Sequence, residues 1–189
     1  MREKKWADVI AHKIHNHLQA KNKNLAADSA QKLIYKNEVT DYTNQVPTYN
    51  TMSYETDILI YEWLSEERWK PRVVIEVKIT SVTTHDAITY SKKSKDHKTI
   101  HPYLRYGIFI GNLGESRIPG RLIRHGENFD FMISWQDFDP SKKEWESFMR
   151  KILAEVVASQ KLDTMLFDTR SKSREKISIL HRPLVTELT

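Results

Sequence analysis

The sequence predicts an α/β domain in which helices flank a central mixed β-sheet. Segments whose apolar residues recur every three or four positions alternate with short, nearly continuous apolar runs rich in Val and Ile. This order of helical and extended patterns is typical of layered α/β domains. Because 189 residues contain no internal repeat and no Gly-, Ser- or Pro-rich linker, we expect one domain, with a core over about 5–162 and a basic extension over 163–189.

Apolar spacing predicts four helices. The first covers 4–20, the second covers about 25–36, and a weaker pattern covers 84–99. The last helix is predicted to open with Asp139 as N-cap and Pro140 at its first position. The apolar positions that carry the spacing are Trp6, Ile10, Ile14 and Leu18 in the first helix, Ala26, Ala30, Leu33 and Ile34 in the second, and Trp145, Phe148, Met149, Ile152, Leu153 and Val156 in the last.

Four extended segments are predicted to form the sheet. The runs 56–63 and 71–80 are close in sequence and are expected to pair as a hairpin. Further strands are predicted over 106–112 and 129–135. The polar, Asn-, Thr- and Tyr-rich stretch 37–56 is expected to be a loop with one short strand at most.

Composition excludes several function classes. Cysteine is absent, so disulfides, thiolate nucleophiles and zinc–thiolate sites are ruled out. No apolar run approaches the ~20 residues that span a bilayer, and the charged N-terminus does not resemble a signal peptide. We expect a soluble, cytoplasmic protein without membrane contacts, whose net charge of +5 favours an anionic partner.

The segment 71–80 contains the most informative residues. Alternation along a strand turns its Val and Ile side chains towards the core, and Glu76 and Lys78 towards the other face. One interpretation is a same-strand salt bridge on a solvated face, because acid-x-Lys also occurs at Glu3–Lys5 and Asp96–Lys98. The apolar neighbours instead favour an enclosed site, where either charge needs a partner.

Asp57 strengthens the enclosed-site interpretation. It stands at the start of the preceding strand, so a hairpin would bring it and Glu76 to the same end of the sheet. Two converging carboxylates repel each other unless a cation or a proton lies between them, and oxygen ligands suit Mg²⁺. A protonated Lys78 beside them could stabilise negative charge on a substrate or orient a water molecule.

A strand-borne Thr56-Asp57, a hairpin, and Glu76-Val77-Lys78 in an apolar strand resemble the PD-(D/E)XK nuclease superfamily, which has the restriction-endonuclease-like fold. Thr56 stands where that family has proline. The order of elements over roughly 5–135 is similar to the family core. The closest likeness is to a type II restriction endonuclease, a sequence-specific, Mg²⁺-dependent enzyme that hydrolyses phosphodiester bonds of double-stranded DNA.

The resemblance implies roles for individual residues. Asp57, Glu76 and the backbone carbonyl of Val77 would hold Mg²⁺, and Lys78 would contact the attacking water or the phosphate. Family members often add an acid from the first helical region. Glu38, at the end of the predicted second helix, is one candidate for it, with a solvated helix end as the alternative; Glu55, on the face of Asp57, is a second.

Double-stranded DNA is the implied substrate, and cutting both strands would require a homodimer. Two basic stretches are predicted to contact it, although charged runs are also common on solvated surfaces: Lys92, Lys93, Lys95 and Lys98, and Arg117, Arg121 and Arg124. A third basic stretch lies in the extension: Arg170, Lys172, Arg174 and Lys176.

Two other functions remain open on the sequence alone. One is a repair or recombination nuclease of the same fold, such as a junction resolvase. The other is a non-catalytic DNA-binding partner subunit, which would be expected to have lost Asp57, Glu76 or Lys78. The histidines of the first helix are interpreted as a solvated face rather than a metal site: His12, His15 and His17.

Overall fold

The computed structural model describes residues 2–168, 172, 176–181 and 183–187. Within them the chain forms these elements in order: α1 (Glu3–Lys21), β1 (Leu25–Ser29), β2 (Lys32–Thr43), β3 (Val46–Glu55), β4 (Ile58–Trp63), β5 (Trp69–Ile79), α2 (Thr84–Ile100), β6 (Arg105–Gly111), α3 (Gly120–His125), β7 (Phe131–Ser134) and α4 (Lys142–Phe167). The predicted α/β class with a mixed central sheet flanked by helices is confirmed.

The central sheet has five strands in the order β1-β4-β5-β6-β7. Strands β1, β4 and β5 pair antiparallel, whereas β5, β6 and β7 pair parallel. The predicted hairpin is confirmed as β4 and β5, in which Ile58 lies opposite Ile75. Helix α2 provides the crossover that a parallel β5–β6 pair requires.

Strand β5 separates two buried layers. Val73, Ile75 and Val77 pack with the apolar faces of α1 and α4, which include Ile10 and Phe148. The intervening Val74 belongs to the opposite layer, together with Leu33, Leu59, Leu104 and Tyr106. The predicted alternation is therefore confirmed, and it places Glu76 and Lys78 on the face of the strand opposite Val73, Ile75 and Val77.

Helix α1 is held against the sheet by Trp6. This side chain is buried, its ring lies 4.8 Å from that of Phe109, and its Nε1 donates to the carbonyl of Phe138. A Cβ atom on Gly111 would lie only 2.2 Å from the Trp6 ring. Only glycine permits this close approach, which fixes the first turn of α1 near the carboxyl end of β6.

The predicted helix over 25–36 is wrong. Residues Leu25–Ser29 form the edge strand β1, and β2 begins at Lys32. Leu25 and the alanines of β1 are buried against α1 and β4. Burial of this short segment in the sheet outweighs the helix propensity of its alanines.

The predicted loop over 37–56 is also wrong, because β2 and β3 form a long two-stranded hairpin, here called the arm. Its turn contains Asn44 and Gln45, with φ of 50° and 68°. Positive φ at both central residues is the requirement of a type I′ turn, whose twist matches a hairpin. The arm lacks apolar alternation because most of its side chains are exposed.

Helix α4 differs from the prediction at both ends. Its N-cap is Ser141 rather than Asp139, and Ser141 and Glu144 form a reciprocal capping box. It continues to Phe167, into the predicted extension. Of the basic residues predicted beyond it, Arg170 and Arg174 lie outside the described residues.

No helix in the described part of the chain is long and apolar enough to cross a membrane.

Ion pairs cluster at the amino end of β5. Arg72, only 4% exposed at its side chain, contacts Glu62 at 2.7 Å and Asp163 of α4 at 3.0 Å. Lys70 also contacts Asp163, at 2.8 Å. Arg72 has no pairing partner on β4, because a β-bulge at this point accommodates the neighbouring Pro71. These ion pairs fasten α4 to the end of the sheet opposite the predicted site.

Candidate active site

Asp57 and Glu76 meet at one edge of the sheet. The β4–β5 register ends with Ile58 opposite Ile75, so Asp57 lies across from Glu76 on the next step of the ladder. The Asp57 carboxylate accepts a hydrogen bond from the backbone N–H of Val77 at 2.8 Å. The convergence predicted from the sequence is present.

The pKa of Asp57 is raised to about 6. Burial is the main cause, and the negative charge of Glu76 adds to it. The Val77 hydrogen bond and the charge of Lys93 act in the opposite direction without cancelling the effect. Burial next to a second carboxylate therefore makes the ionised form of Asp57 unfavourable at this edge of the sheet.

Glu76 is 1% exposed and has two partners from other elements. Lys93 of α2 approaches one of its carboxylate oxygens to 2.8 Å, and the Tyr106 hydroxyl of β6 donates to the same oxygen. The Lys93 ammonium also lies over the rings of Tyr54 and Tyr90, 5.5 and 5.2 Å from their centroids. Lys93, predicted to contact DNA, is therefore paired with an acid of the site.

Lys78 is held by three other side chains. Its Nζ lies 3.1 Å from Glu3 of α1, 3.6 Å from Asp86 of α2, and 4.9 Å from the centre of the Tyr90 ring. Burial alone would lower the pKa of Lys78, but hydrogen bonds to Tyr90 and Glu3 raise it above its ordinary value. Lys78 is therefore a fixed cation at neutral pH.

The same-strand salt bridge considered for Glu76 and Lys78 is not formed. In the described part of the chain, no ion pair joins these two residues, since the cation on Glu76 is Lys93 and the anions on Lys78 are Glu3 and Asp86. Strand β5 therefore places Glu76 beside Lys93 of α2, and Lys78 beside Glu3 of α1 and Asp86 of α2.

Two backbone outliers border this cluster. Thr80, two residues after Lys78, has φ of 67°, and Ala30, before β2, has φ of 55°. Positive φ is strained for alanine and for a β-branched residue, and such strain concentrates at functional sites. A hydrogen bond from the Thr80 N–H to the Gly111 carbonyl holds the chain at 2.8 Å.

The two additional acids proposed from the sequence have different outcomes. Glu55 lines a cavity of about 80 Å³ with Glu3 and Asp57, and its exposed carboxylate contacts Lys4 at 3.3 Å. Glu38, predicted at a helix end, instead lies in the arm beside Lys36, six residues along β2 from Lys32. Six strand residues span roughly 20 Å, so Glu38 is not brought to the site.

The predicted lysine cluster on α2 does not form one open cationic surface. Lys92 pairs with Asp96, and Lys98 contacts Asp130 at 2.8 Å, while Lys95 is exposed. Arg117, Arg121 and Arg124 are exposed in α3 and the segment before it, and α3 packs against α2.

Besides Lys93, the site contains four residues that were not predicted as part of it. Glu3 and Asp86 hold Lys78, Tyr90 contacts both lysines, and Tyr106 donates to Glu76. The only sequence signal was position: Asp86 and Tyr90 lie one turn apart on the helix that follows β5, so they face the same side. Glu3 was noted only as a chance acid-x-Lys match.

The arrangement fits a divalent cation in part. Asp57 and Glu76 supply converging carboxylate oxygens, the donors that Mg²⁺ prefers, and a divalent cation would offset the burial and the mutual repulsion of these two charges. The described residues contain no cluster of three or more His, Cys, Asp or Glu side chains arranged to hold a metal. Further ligands would have to be backbone oxygens or water, and Lys93 and Tyr106 both contact the same Glu76 oxygen, Oε1.

The chain was also compared with known proteins. No protein-family model matches it, and no curated protein is significantly similar to it in sequence.

Proposed function

We propose that the chain is a Mg²⁺-dependent endodeoxyribonuclease with the restriction-endonuclease-like fold, acting on specific sequences of double-stranded DNA. One observation carries the proposal: the carboxylates of Asp57 and Glu76 converge at a sheet edge, and Lys78 follows on the same face of β5. Acid pairs that converge in this way, beside a fixed lysine, suit hydrolysis of a phosphodiester more than a purely structural role.

The order of elements supports the same fold. Helix α1, the antiparallel strands β1, β4 and β5, the crossover α2 and the parallel strand β6 follow one another as in that fold, with the arm as an insertion between β1 and β4. Of the three family positions, Glu76 and Lys78 lie in β5 and Asp57 immediately precedes β4, which is consistent with the resemblance.

The residues would divide the work as follows. Asp57 and Glu76 would bind Mg²⁺, which supplies polarisation of the phosphate and a lowered pKa of a bound water. Because the pKa of Lys78 is raised, its ammonium stays protonated, stabilises negative charge on the phosphate and cannot act as the general base. Glu3 and Asp86 orient this ammonium, since both contact it directly.

The first experiment is cleavage of phage and plasmid DNA by the purified protein with Mg²⁺ or with EDTA. Discrete Mg²⁺-dependent fragments are expected. A smear would indicate a nuclease that cuts DNA without sequence specificity. Intact duplex would contradict the proposal, and branched DNA would then test a structure-specific repair nuclease.

Lys78→Ala tests the assigned site. We expect this variant to lose at least ~100-fold in cleavage rate, because it lacks the fixed cation, and to keep its affinity for DNA. Lys23→Ala, on the exposed turn after α1, is the matched control and should cut normally. Undiminished cutting by Lys78→Ala would show that the site is elsewhere.

A further inference from the structure

The ammonium of Lys93 is enclosed at the candidate site. It lies 2.8 Å from the buried carboxylate of Glu76, and it lies over the rings of Tyr54 and Tyr90. The Lys93 side chain is only 18% exposed. A lysine on a protein surface normally keeps its charged head in water, whereas this one faces a buried acid and two aromatic rings. The surrounding elements therefore fix the position of this charge.

The charge of Lys93 acts on both acids of the site. Among residues 2–168, Lys93 is the only cation within ion-pair distance of Glu76. Its charge also opposes the rise in the pKa of Asp57, which burial and the neighbouring Glu76 cause. The other lysine of the site, Lys78, contacts different acids. One ammonium therefore offsets part of the charge of two carboxylates.

A divalent cation bound by Asp57 and Glu76 would be repelled by this ammonium. Lys93 contacts one oxygen of the same Glu76 carboxylate that such an ion would bind. Two cations on one carboxylate are only a few ångströms apart, and solvent screens their repulsion weakly at a buried group. Lys93 also reduces the net negative charge that attracts the metal. Both effects act in the same direction, towards weaker binding of the metal.

We propose that the Lys93 ammonium is a built-in competitor of the divalent cation and sets a low metal affinity at the acid pair. This inference rests on the metal site of the proposed function. The rings of Tyr54 and Tyr90 strengthen the competition, because cation–π contacts hold the ammonium beside Glu76. Two other roles of Lys93 predict different results. Loss of a phosphate contact would leave the metal affinity unchanged, and loss of a purely structural ion pair would weaken it, because Glu76 would no longer be held in place.

Lys93→Met tests the competition. Methionine is similar to lysine in length and packs well against aromatic rings, but it has no charge. We expect this variant to bind Mn²⁺ at least about tenfold more tightly than the wild type at pH 8 without DNA. Mn²⁺ is the probe because it shares the oxygen preference of Mg²⁺, and electron paramagnetic resonance measures its free form. Lys92→Met removes the same charge from an exposed pair with Asp96, and should change the Mn²⁺ affinity by less than about twofold.

Two further variants separate competition from a loss of folding. Lys93→Arg keeps the positive charge and should bind Mn²⁺ within about twofold of the wild type. Tyr54→Leu keeps Lys93 but removes one of the two rings that hold its ammonium, so Mn²⁺ binding should tighten by roughly two- to fivefold. Circular dichroism checks the fold of each variant. If Lys93→Met does not fold, Tyr54→Leu decides: tighter binding supports the proposal and unchanged or weaker binding overturns it.

The outcomes distinguish this inference from the proposed function. Tighter Mn²⁺ binding in Lys93→Met but not in Lys92→Met supports the inference. Equal or weaker binding in Lys93→Met, or equally tightened binding in Lys93→Arg, overturns it and leaves the metal site in place. Unchanged Mn²⁺ affinity with weaker binding of a DNA duplex would assign Lys93 to a phosphate contact. Mn²⁺ binding that persists in Asp57→Asn, or that is absent from both wild type and Lys93→Met, would overturn the inference and the metal site together.

Discussion

At the scale of single residues, the burial of Asp57 beside Glu76 makes the stability of the fold depend on pH. The pKa of Asp57 is about 6 in the folded chain and 3.8 when unperturbed, so folding favours the protonated carboxyl. Its contribution to stability is fully present below pH 4 and is lost as the pH rises through 6. Ionised Asp57 then costs about 3 kcal/mol, which a bound cation would offset.

Asp57→Asn should therefore stabilise the protein in EDTA. At pH 7.5 we expect the free energy of unfolding to rise by about 2–3 kcal/mol, and the gain to vanish near pH 4, where the wild-type carboxyl is protonated. Urea denaturation at several pH values measures this. Asp137→Asn, at an exposed position, is the control and should change little. If Asp57→Asn were less stable than the wild type at pH 7.5, the conclusion that ionised Asp57 destabilises the fold would be wrong.

At the scale of elements, the turn of the arm contains a strained backbone conformation at Gln45, which a substitution can relieve. Gln45 has φ of 68°, a conformation that glycine adopts without cost, and Asn-Gly is a favoured type I′ pair. Gln45→Gly should raise the free energy of unfolding of the arm by about 1 kcal/mol, which amide hydrogen exchange within β2 and β3 would detect. Exchange that accelerates in the arm would contradict the type I′ assignment.

The ion pairs at the amino end of β5 predict a different change in stability. Asp163→Asn removes the carboxylate that Lys70 and buried Arg72 share, leaving Arg72 with Glu62 alone. We expect a loss of about 3 kcal/mol in urea, because the cluster then contains two cations, Lys70 and the buried Arg72, but only one carboxylate. Glu146→Gln, in an exposed pair on the same helix, should cost less than about 0.5 kcal/mol. Equal effects would mean that α4 is not fastened by this cluster.

Elements with strong local signals were predictable, and elements defined by their surroundings were not. The apolar runs of β4, β5 and β6 and the apolar stripes of α1 and α4 predict their secondary structure from the local sequence alone. Strand β1 does not, because its alanines favour a helix until β4 and α1 enclose them. The arm was missed since exposed strands need no apolar alternation.

At the scale of the whole molecule, the strand-borne part of the site was predictable and its helical part was not. Asp57, Glu76 and Lys78 follow from pairing of two adjacent strands. Glu3 reaches Lys78 only because Trp6 docks over Gly111, a long-range contact that spacing along the chain cannot reveal. Lys93 was predicted to contact DNA because a run of lysines in a sequence does not indicate which lysine side chain points towards the site.

The proposed binding of DNA predicts a dependence on salt. The exposed cations Lys95, Arg117, Arg121 and Arg124 give an expected slope of log affinity against log salt of roughly −3 to −4. Replacing the three arginines with alanine should reduce this slope by about 3, measured by fluorescence anisotropy on a short duplex. An unchanged slope would place the phosphate contacts on another surface.

The docking of the first turn of α1 beside the cavity has a practical consequence. Because Glu3 contacts Lys78 and lines the cavity with Asp57, an affinity tag belongs at the other terminus. The same proximity is useful because the chain has no cysteine. A fluorophore on a single cysteine introduced at the exposed Lys4, which lines the cavity, would be the only labelled position, and its emission would test whether Mg²⁺ or DNA binds at the proposed site.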